Sequence, residues 1–163
     1  MPSVVIVNTS PLFYLHRIGC LSVLQKLYNE IIIPGAVVAE LADGERVGED
    51  VPNVANYPWI KVRNVMVPAF ITMIPDLGRG EAEVLALGSE EIAPLLVIDD
   101  ALARRIASLQ TLKFTGTAGV LLKAKSEGHI TEIKTILAKL KTAGFYLHET
   151  VVTEILNLAK ERP

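Results

Sequence analysis

The hydrophobic positions of the chain fall into short blocks that are separated by longer mixed segments. Three blocks, "VVIV" (residues 4–7), "EIIIP" (residues 30–34) and "PLLVIDD" (residues 94–100), are nearly continuous and rich in branched apolar side chains. Runs of this kind predict strands that are covered on both faces of a sheet. "WIKVRNV" (residues 59–65) alternates instead, which predicts a strand nearer an edge, and "KFTG" (residues 113–116) predicts a brief further strand.

Between these blocks the apolar positions take the spacing of helices. The predicted helices are Leu12 to Ile18, Leu21 to Tyr28, a helix from Gly35 that carries Glu40, Arg79 to Leu87, residues 101–109 and residues 117–128. We expect a polar loop over residues 43–50, and we expect Leu102, Ile106 and Leu109 to share one side of their helix. Strands that alternate with helices predict an α/β fold, here a three-layer α/β/α sandwich with a mostly parallel sheet.

The last quarter of the chain has a different pattern. Two sets of apolar residues keep the i, i+3, i+4, i+7 spacing of amphipathic helices: Ile133, Ile136, Leu137 and Leu140, then Val152, Ile155, Leu156 and Ala159. The segment "GFYLH" joins them. We expect a single domain over residues 1–163, in which residues 131–163 form a C-terminal helical extension.

Composition narrows the class of protein. Half of the 163 residues are hydrophobic and 21% are charged, which excludes a disordered chain. A formal net charge of −2 provides no overall basic field, so contact with nucleic acid would need a local basic stripe. Cys20 is the single cysteine, which excludes an intramolecular disulfide and suits a reducing compartment. With no recognisable signal peptide and no apolar run of about 20 residues, we expect a cytoplasmic protein without a membrane span.

Acidic and amide side chains gather at the predicted carboxyl edge of the sheet. Asn8 ends the first strand, Glu40 lies on the helix after the second, Glu81 opens the helix before the third, and Asp99 with Asp100 closes that strand. Ligands bind at this edge in open α/β sheets. Clustered carboxylates repel one another unless cations neutralise them, and hard oxygen ligands suit Mg²⁺ or Mn²⁺. Two such ions would activate water and stabilise the leaving oxygen of a phosphodiester.

Each acid also has a purely structural explanation. Glu81 and its neighbour Glu83 would complement a helix N-terminus, and residues two apart do not share a helix face, so we expect only one of them to point into the site. Asp99 or Asp100 would serve as a helix N-cap. Glu40 by itself would be a solvated helix residue. The prediction of a site therefore rests on the joint arrangement.

Candidate phosphate contacts flank the same edge. The predicted phosphate or RNA contacts are Thr9, Ser10, Arg104, Gly116 and Thr117. "GTAG" (residues 116–119) opens a helix after a strand, and helix N-termini bind anions through free N–H groups. Arg104 lies about one helical turn from Asp100, where a guanidinium would clamp phosphate. A plain N-cap at Thr117 and an ordinary surface role for Arg104 are the alternatives.

The chain resembles a known family. "VVIVNTSPLFYL", "IPGAVVAEL", "GRGEAEVLAL", "LLVIDDALARRIA" and "TGTAGVLLKAKSEG" are similar to the successive motifs of PIN-domain proteins, above all the branch of predicted nucleic-acid-binding proteins close to VapC-type toxins. The resemblance covers roughly residues 3–128. It implies a compact α/β/α ribonuclease that uses Mg²⁺ or Mn²⁺ to cleave RNA, is often a homodimer, and in many members is a toxin held inactive by a small antitoxin protein.

The resemblance also assigns the acidic positions of the site. The family's first acid falls on Asn8, its second on Glu40, its third on Glu81 and its fourth on the pair Asp99 and Asp100. Of that pair the resemblance favours Asp100, because family members usually place the acid one residue beyond the last apolar positions of the strand. All five are the implied catalytic residues, and the implied metal ligands among them are Asn8, Glu40, Glu81 and Asp100.

Asn8 departs from the family pattern, which has aspartate at this position. Its carbonyl oxygen can still ligate a cation or orient a water, but it supplies no charge, so metal affinity should fall. In "NTSP" (residues 8–11), Asn8 or Ser10 would also serve as a simple helix cap. The alternative function is therefore a degenerate PIN module that binds nucleic acid or protein without cutting it.

Two further observations concern partners and other chemistries. The apolar residues of the first helices exceed what a small core obviously needs, which suits an exposed face for a homodimer, with burial in the core as the alternative for each of them: Tyr14, Leu15, Leu24, Leu27 and Tyr28. The three histidines lack metal-ligand spacing, and no P-loop motif is present, so the sequence gives no support for a zinc site or a nucleotide-binding loop.

Overall fold

The structure is a computed structural model that describes residues 2–162. One parallel sheet lies at its centre, with the strands β1 Val5–Val7, β2 Ile31–Pro34, β3 Ile60–Arg63, β4 Leu95–Val97 and β5 Lys113–Thr115. Their spatial order is β3-β2-β1-β4-β5. The strand order therefore changes direction between β1 and β4, and a crevice at the carboxyl ends of two such strands is where α/β sheets bind ligands.

The helices cover the sheet and continue beyond it. The α-helices of residues 2–162 are α1 Thr9–Arg17, α2 Ser22–Tyr28, α3 Gly35–Arg46, α4 Ala69–Thr72, α5 Arg79–Glu90, α6 Ala101–Leu109, α7 Thr117–Ser126, α8 Ile133–Thr142 and α9 Glu149–Leu158, with a short 3-10 helix at Val54–Asn56. Within these described residues no helix is long and apolar enough to cross a membrane. The α/β fold that the sequence predicts is confirmed.

Burial explains why the strands lie where the sequence predicts them. Every residue of β1 and β2 is buried, as continuous apolar runs require in a sheet covered on both faces. In β3 only Ile60 is buried, while Lys61, Val62 and Arg63 are exposed, which fits a strand at the sheet edge. The register pairs Ile6 of β1 with Ile32 and with Leu96 on its two sides, so the first strand is central.

The predicted polar loop at residues 43–50 is partly wrong. Helix α3 continues through Arg46, and its last turn carries an ion pair of 3.0 Å between Arg46 and Asp43. The chain leaves the helix only at Val47 and turns at Gly48, whose φ of +85° favours glycine. Polar residues in an exposed last turn therefore concealed the helix from a hydrophobic pattern.

The side of α6 that Leu102, Ile106 and Leu109 share is only partly the side that faces the core. Leu109 is 81% exposed, although Ile106 is buried as expected. The residues that face the core are Ala103, Ile106 and Ala107, which follow the i, i+3, i+4 spacing of one helix face. Two small alanines occupy this face, so the helix lies close to its neighbours and Leu109 turns outward.

The early helices do not present the apolar face that the sequence suggested. Leu15, Leu24, Leu27 and Tyr28 are all buried within the single chain, and Tyr14 is half-buried. Tyr14 packs edge-to-face on Phe145, with ring centroids 4.9 Å apart. These residues fill the core beneath α1 and α2, so they do not support a dimer interface.

The C-terminal helices form as their spacing predicts and pack on α7. Helix α8 buries Ile133, Leu137 and Leu140, and the second helix buries Ile155 and Leu156. All of these residues belong to the hydrophobic cluster that includes the sheet. The extension is therefore continuous with the core of the domain.

A single carboxylate ties the end of the chain to this extension. Glu161 Oε2 accepts hydrogen bonds from Lys125 Nζ at 2.9 Å and from the N–H of Ile133 at 2.7 Å, and Oε1 accepts one from the N–H of Lys134 at 3.1 Å. Glu161 thereby satisfies free N–H groups at the start of α8. Burial by itself would raise the pKa of Glu161, but the hydrogen bonds from these three residues outweigh it and hold the pKa below its usual value of 4.5.

We expect Glu161→Gln to lower the melting temperature by a few degrees at pH 7. Folding favours the ionised form of Glu161. Its contribution to the free energy of unfolding is therefore present above the unfolded pKa and is lost as the pH falls through the lower folded pKa. The difference between the natural chain and the variant should therefore be smaller at an acidic pH below the unfolded pKa than at pH 7. Thermal unfolding at both pH values measures this, with the exposed Glu154→Gln on α9 as the control. A deficit that persisted unchanged in acid would contradict the assignment.

Candidate active site

Asn8 lies where β1 ends, beside β4. Its backbone N–H donates to the carbonyl oxygen of Val97 at 3.0 Å, so the sheet hydrogen bonding continues to this residue. Asn8 is the N-cap of α1 by position, but its side chain makes no capping hydrogen bond. The side chain is only 2% exposed, and its Oδ1 has no hydrogen-bond partner among the described residues. A buried polar oxygen without a partner is costly and calls for a functional explanation.

Glu40 and Gly80 surround this orphaned oxygen. Thr9 Oγ1 donates a hydrogen bond of 2.6 Å to Glu40 Oε1, which holds the carboxylate beside α1. A Cβ built at Gly80 would lie 2.9 Å from Asn8 Oδ1 and would collide with Glu40 Oε1. Both oxygens therefore face the same small space, and only glycine at the start of α5 leaves it open. The role of Gly80 could not be predicted from the sequence, since nothing local to "GRGE" indicates the close approach of Glu40 or Asn8.

Asp99 is the acid that joins the ends of two helices. Its Oδ1 accepts the N–H of Thr117 at 2.8 Å, and its Oδ2 accepts the hydroxyls of Thr117 at 2.7 Å and Ser10 at 3.0 Å. Thr117 is fully buried. The first N–H of α7 is thus bound to a carboxylate of the protein itself, and it is not free to bind the phosphate that the sequence predicted there.

Asp100 has a different environment from its neighbour. Its side chain accepts the N–H of Ala103 at 2.8 Å, which makes it the N-cap of α6, and the residue is exposed. The structural alternative that the sequence left open therefore applies to Asp100. Asp99, one residue earlier, is the member of the pair that contacts Ser10 and Thr117.

Glu81 and Glu83 also point to separate partners. Glu83 Oε1 accepts the N–H of Ala36 at 3.0 Å, in the first turn of α3, so this carboxylate caps a neighbouring helix. The carboxylate of Glu81 lies against Gly78, the N-cap of its own helix. Glu83 therefore has a structural role, while Glu81 lies at the N-terminus of its own helix α5.

Arg104 lies beside Asp99 and is held in place. Its Nε donates to the carbonyl oxygen of Ile98 at 2.8 Å, and its guanidinium lies over the ring of Phe114 at 5.2 Å from the centroid. A Cβ built at Gly116 would lie 2.7 Å from Asp99 Oδ1 and would collide with the guanidinium of Arg104. The Arg104 guanidinium therefore lies beside Gly116. The hydrogen bond to Ile98 and the ring of Phe114 fix its orientation.

The oxygen atoms at this site suit a hard cation, although they do not all come from acidic residues. Within residues 2–162, no group of three or more His, Cys, Asp or Glu side chains is placed to hold a metal ion. An amide oxygen supplements the carboxylates instead, since Asn8 Oδ1 and Glu40 Oε1 face the same space. Two acceptors that face one another are satisfied by a cation between them, and carbonyl and carboxylate oxygens are ligands of Mg²⁺ and Mn²⁺. The residues fit such an ion, with one negative charge fewer than an aspartate would provide.

A family model described as a PIN domain matches residues 4–161. The chain belongs to the PIN-domain family. No curated protein and no solved structure matches it. PIN domains are typically nucleases, so the family supports an enzyme that acts on nucleic acid, and the resemblance that the sequence motifs carried is confirmed at the level of the family.

Proposed function

We propose that this PIN domain is a divalent-metal-dependent endoribonuclease that hydrolyses phosphodiester bonds in single-stranded or looped RNA. One observation carries the proposal: the buried Asn8 Oδ1, which lacks a partner and faces the Glu40 carboxylate across the space that Gly80 leaves open. The family is typically one of nucleases, and this arrangement lies at the strand ends where such a fold binds its ligands.

Asn8, Glu40 and Asp99 are the residues that we expect to hold Mg²⁺ or Mn²⁺, with Glu81 as a further ligand. A divalent cation held there would supply the Lewis acidity that phosphodiester hydrolysis needs. Asp100 stays a candidate from the motif comparison, but its capping of α6 and its exposure favour Asp99. Choosing Asp99 changes the ligand that the sequence favoured and keeps the rest of the set.

Hydroxyl groups of the chain would orient these ligands. Thr9 holds Glu40, and Ser10 and Thr117 hold Asp99 through hydrogen bonds of 2.6–3.0 Å. Such contacts fix which lone pairs of a carboxylate point into the site. We therefore assign Thr9, Ser10 and Thr117 to positioning, and Arg104, beside Gly116, to contact with the RNA phosphate.

A narrower form of the proposal is the toxin of a toxin–antitoxin pair. Support comes from the resemblance to VapC-type proteins. A small ribonuclease endangers its own cell unless its site is covered, and an antitoxin would cover it by placing a cationic side chain among the oxygens of Glu40, Glu81 and the Asp99–Asp100 pair. A homodimer is part of the same proposal and rests on the resemblance alone, because the early-helix residues that suggested it are buried.

Purified protein should cleave RNA with Mn²⁺ or Mg²⁺ and lose this activity with a chelator. Glu40→Gln should reduce cleavage by at least about 100-fold, because the neutral amide is a weaker ligand beside Asn8. Glu45→Gln is the matched control, since Glu45 is exposed on the same helix α3. The assay follows cleavage of a labelled RNA by gel electrophoresis.

The paired variants also exclude contamination by another nuclease. A contaminant would cleave equally in preparations of the natural chain, Glu40→Gln and Glu45→Gln. Equal cleavage by all three, or no cleavage by folded natural protein with either metal, would contradict the proposed activity.

A degenerate module that binds nucleic acid or protein without catalysis is the second candidate. The specific observation in its favour is the uncharged Asn8, together with the lack of a three-acid cluster in the part of the chain that the structure describes. Calorimetric titration with Mn²⁺ separates the two candidates. The ribonuclease proposal expects saturable binding that Glu40→Gln weakens, whereas a degenerate module would bind no metal at physiological concentration.

A further inference from the structure

A groove runs between α8 and α9, away from the residues of the candidate active site. It has a volume of about 700 Å³. One wall is α8, which contributes Leu137, and the other is α9, which contributes Val152 and Leu156. The loop between the helices closes one end with Phe145 and Leu147. The lining is thus aliphatic along its length and aromatic at the loop.

Apolar side chains remain exposed around this groove. Among its lining residues, Tyr146 is 82% exposed. Phe145 and Val152 are only half-buried. Contiguous apolar surface of this kind marks interaction sites more often than ordinary surface does.

The rim of the groove is basic along α8. This helix carries Lys134, Lys139 and Lys141 and has no acidic residue. Lys134 and Lys141 line the groove, and residues seven apart share a helix face about 10 Å apart along the axis. Glu149 is the one acidic side chain among its lining residues. Lys139 faces a separate cleft beside Arg17.

We propose that this groove binds an amphipathic helical segment of a partner protein, with acidic residues spaced about two turns apart. Apolar side chains of the segment would fill the aliphatic floor, and its carboxylates would meet Lys134 and Lys141. The proposal concerns a binding surface and does not depend on the catalytic activity proposed above.

The shape and chemistry of the floor favour a helix over RNA. Single-stranded RNA binds by stacking its bases on aromatic side chains above a basic track. Along the two helices the floor is built from the aliphatic side chains of Leu137, Val152 and Leu156, and rings are confined to the loop, where Phe145 and Tyr146 lie. Such a floor suits the i, i+3, i+4, i+7 side chains of an amphipathic helix. Two lysines that are two helical turns apart would fix the position of a bound helix along the groove, which a purely apolar surface would not do.

A designed helical peptide tests the proposal with the full chain. The peptide carries leucines at the i, i+3, i+4, i+7 spacing and glutamates seven residues apart, and a scrambled peptide of equal composition is its control. Fluorescence anisotropy measures affinity, and NMR shifts of an isotope-labelled protein locate the contact. We expect saturable binding, with shifts at Leu137 and Val152, that the scrambled peptide does not reproduce.

Charge reversal on α8 supplies the matched variants. Lys134→Glu combined with Lys141→Glu should weaken peptide binding about tenfold, because two attractive contacts become repulsive. Lys139→Glu makes the same change on the same helix outside the groove and should leave binding unchanged. These exposed positions change without disturbing the core, and melting temperatures verify this.

Three results would overturn the proposal. One is the absence of shifts in the groove at millimolar peptide. Another is binding of a single-stranded RNA, but not the peptide, that depends on Lys134 and Lys141. The third is a dimer in light scattering that the double variant dissociates, which would assign the groove to a second copy of this chain.

Discussion

Replacing Asp99 with asparagine is expected to lower Mn²⁺ affinity and RNA cleavage by at least about 100-fold, since loss of even an outer partner of a metal site costs 10–100-fold. Asp99 is the carboxylate that Ser10 and Thr117 orient, and asparagine would bring no charge to a site that already has Asn8. Calorimetry with Mn²⁺ and a gel assay with labelled RNA measure the two effects. Growth after induction of each form tests the toxin proposal, because only the natural chain should arrest it.

The neighbouring acid supplies the control for this prediction. Asp100→Asn should leave metal affinity and cleavage within about threefold of the natural chain, and asparagine caps a helix about as well as aspartate, so stability should change little. A large loss of activity in Asp100→Asn with normal activity in Asp99→Asn would reverse our assignment and restore the residue that the sequence motifs favoured.

Restoring the acid at the first position, Asn8→Asp, should lower stability without metal and raise it with metal. The asparagine amide is uncharged, whereas a buried aspartate beside Glu40 adds a like charge. With a cation present the added charge becomes favourable. A tenfold gain in Mn²⁺ affinity would add about 1.4 kcal/mol at saturation, or roughly 3–6 °C in melting temperature.

Thermal unfolding with and without Mn²⁺ measures both halves of this prediction. Asn53→Asp serves as the control, because Asn53 is an exposed cap of the short 3-10 helix and aspartate caps equally well. It should show no metal-dependent shift. If the natural chain already gains as much stability from Mn²⁺ as Asn8→Asp does, then the Asn8 amide does not reduce metal affinity. The hypothesis of a degenerate, non-catalytic module would then lose its main support.

The strands and the C-terminal helices could be predicted because each has a strong local pattern. The continuous apolar runs of β1, β2 and β4 have few alternatives, and the spacing in α8 and α9 identifies their buried faces directly. Helix α4 and the 3-10 helix at Val54–Asn56 were missed, since four and three residues are too short for a periodic signal. The core face of α6 was not predicted, because two of its three residues are the small alanines Ala103 and Ala107.

The details of the candidate site depend on contacts that no local pattern contains. Alternation of apolar and polar residues along a strand identifies the inward-facing side chains only when one face of the sheet is polar. Strand β4 is covered on both faces, so it has no such pattern. The choice between Asp99 and Asp100 was therefore open until Ser10 and Thr117 were placed beside one of them. The need for glycine at position 80 likewise comes from Glu40, which reaches it from another helix.

The hydrogen bond between Ser10 and Asp99 has a consequence for how the protein folds while the ribosome is synthesising it. It joins residues 89 positions apart, and the same carboxylate needs Thr117, a further 18 positions along. The oxygens of Asn8 and Glu40 belong to the first half of the chain, but Asp99 joins them only after β4 has been made, and Thr117 holds it only once α7 has started. The proposed site is therefore complete only after residue 117 has been made, and a ribosome-bound chain that ends before it should lack the proposed activity.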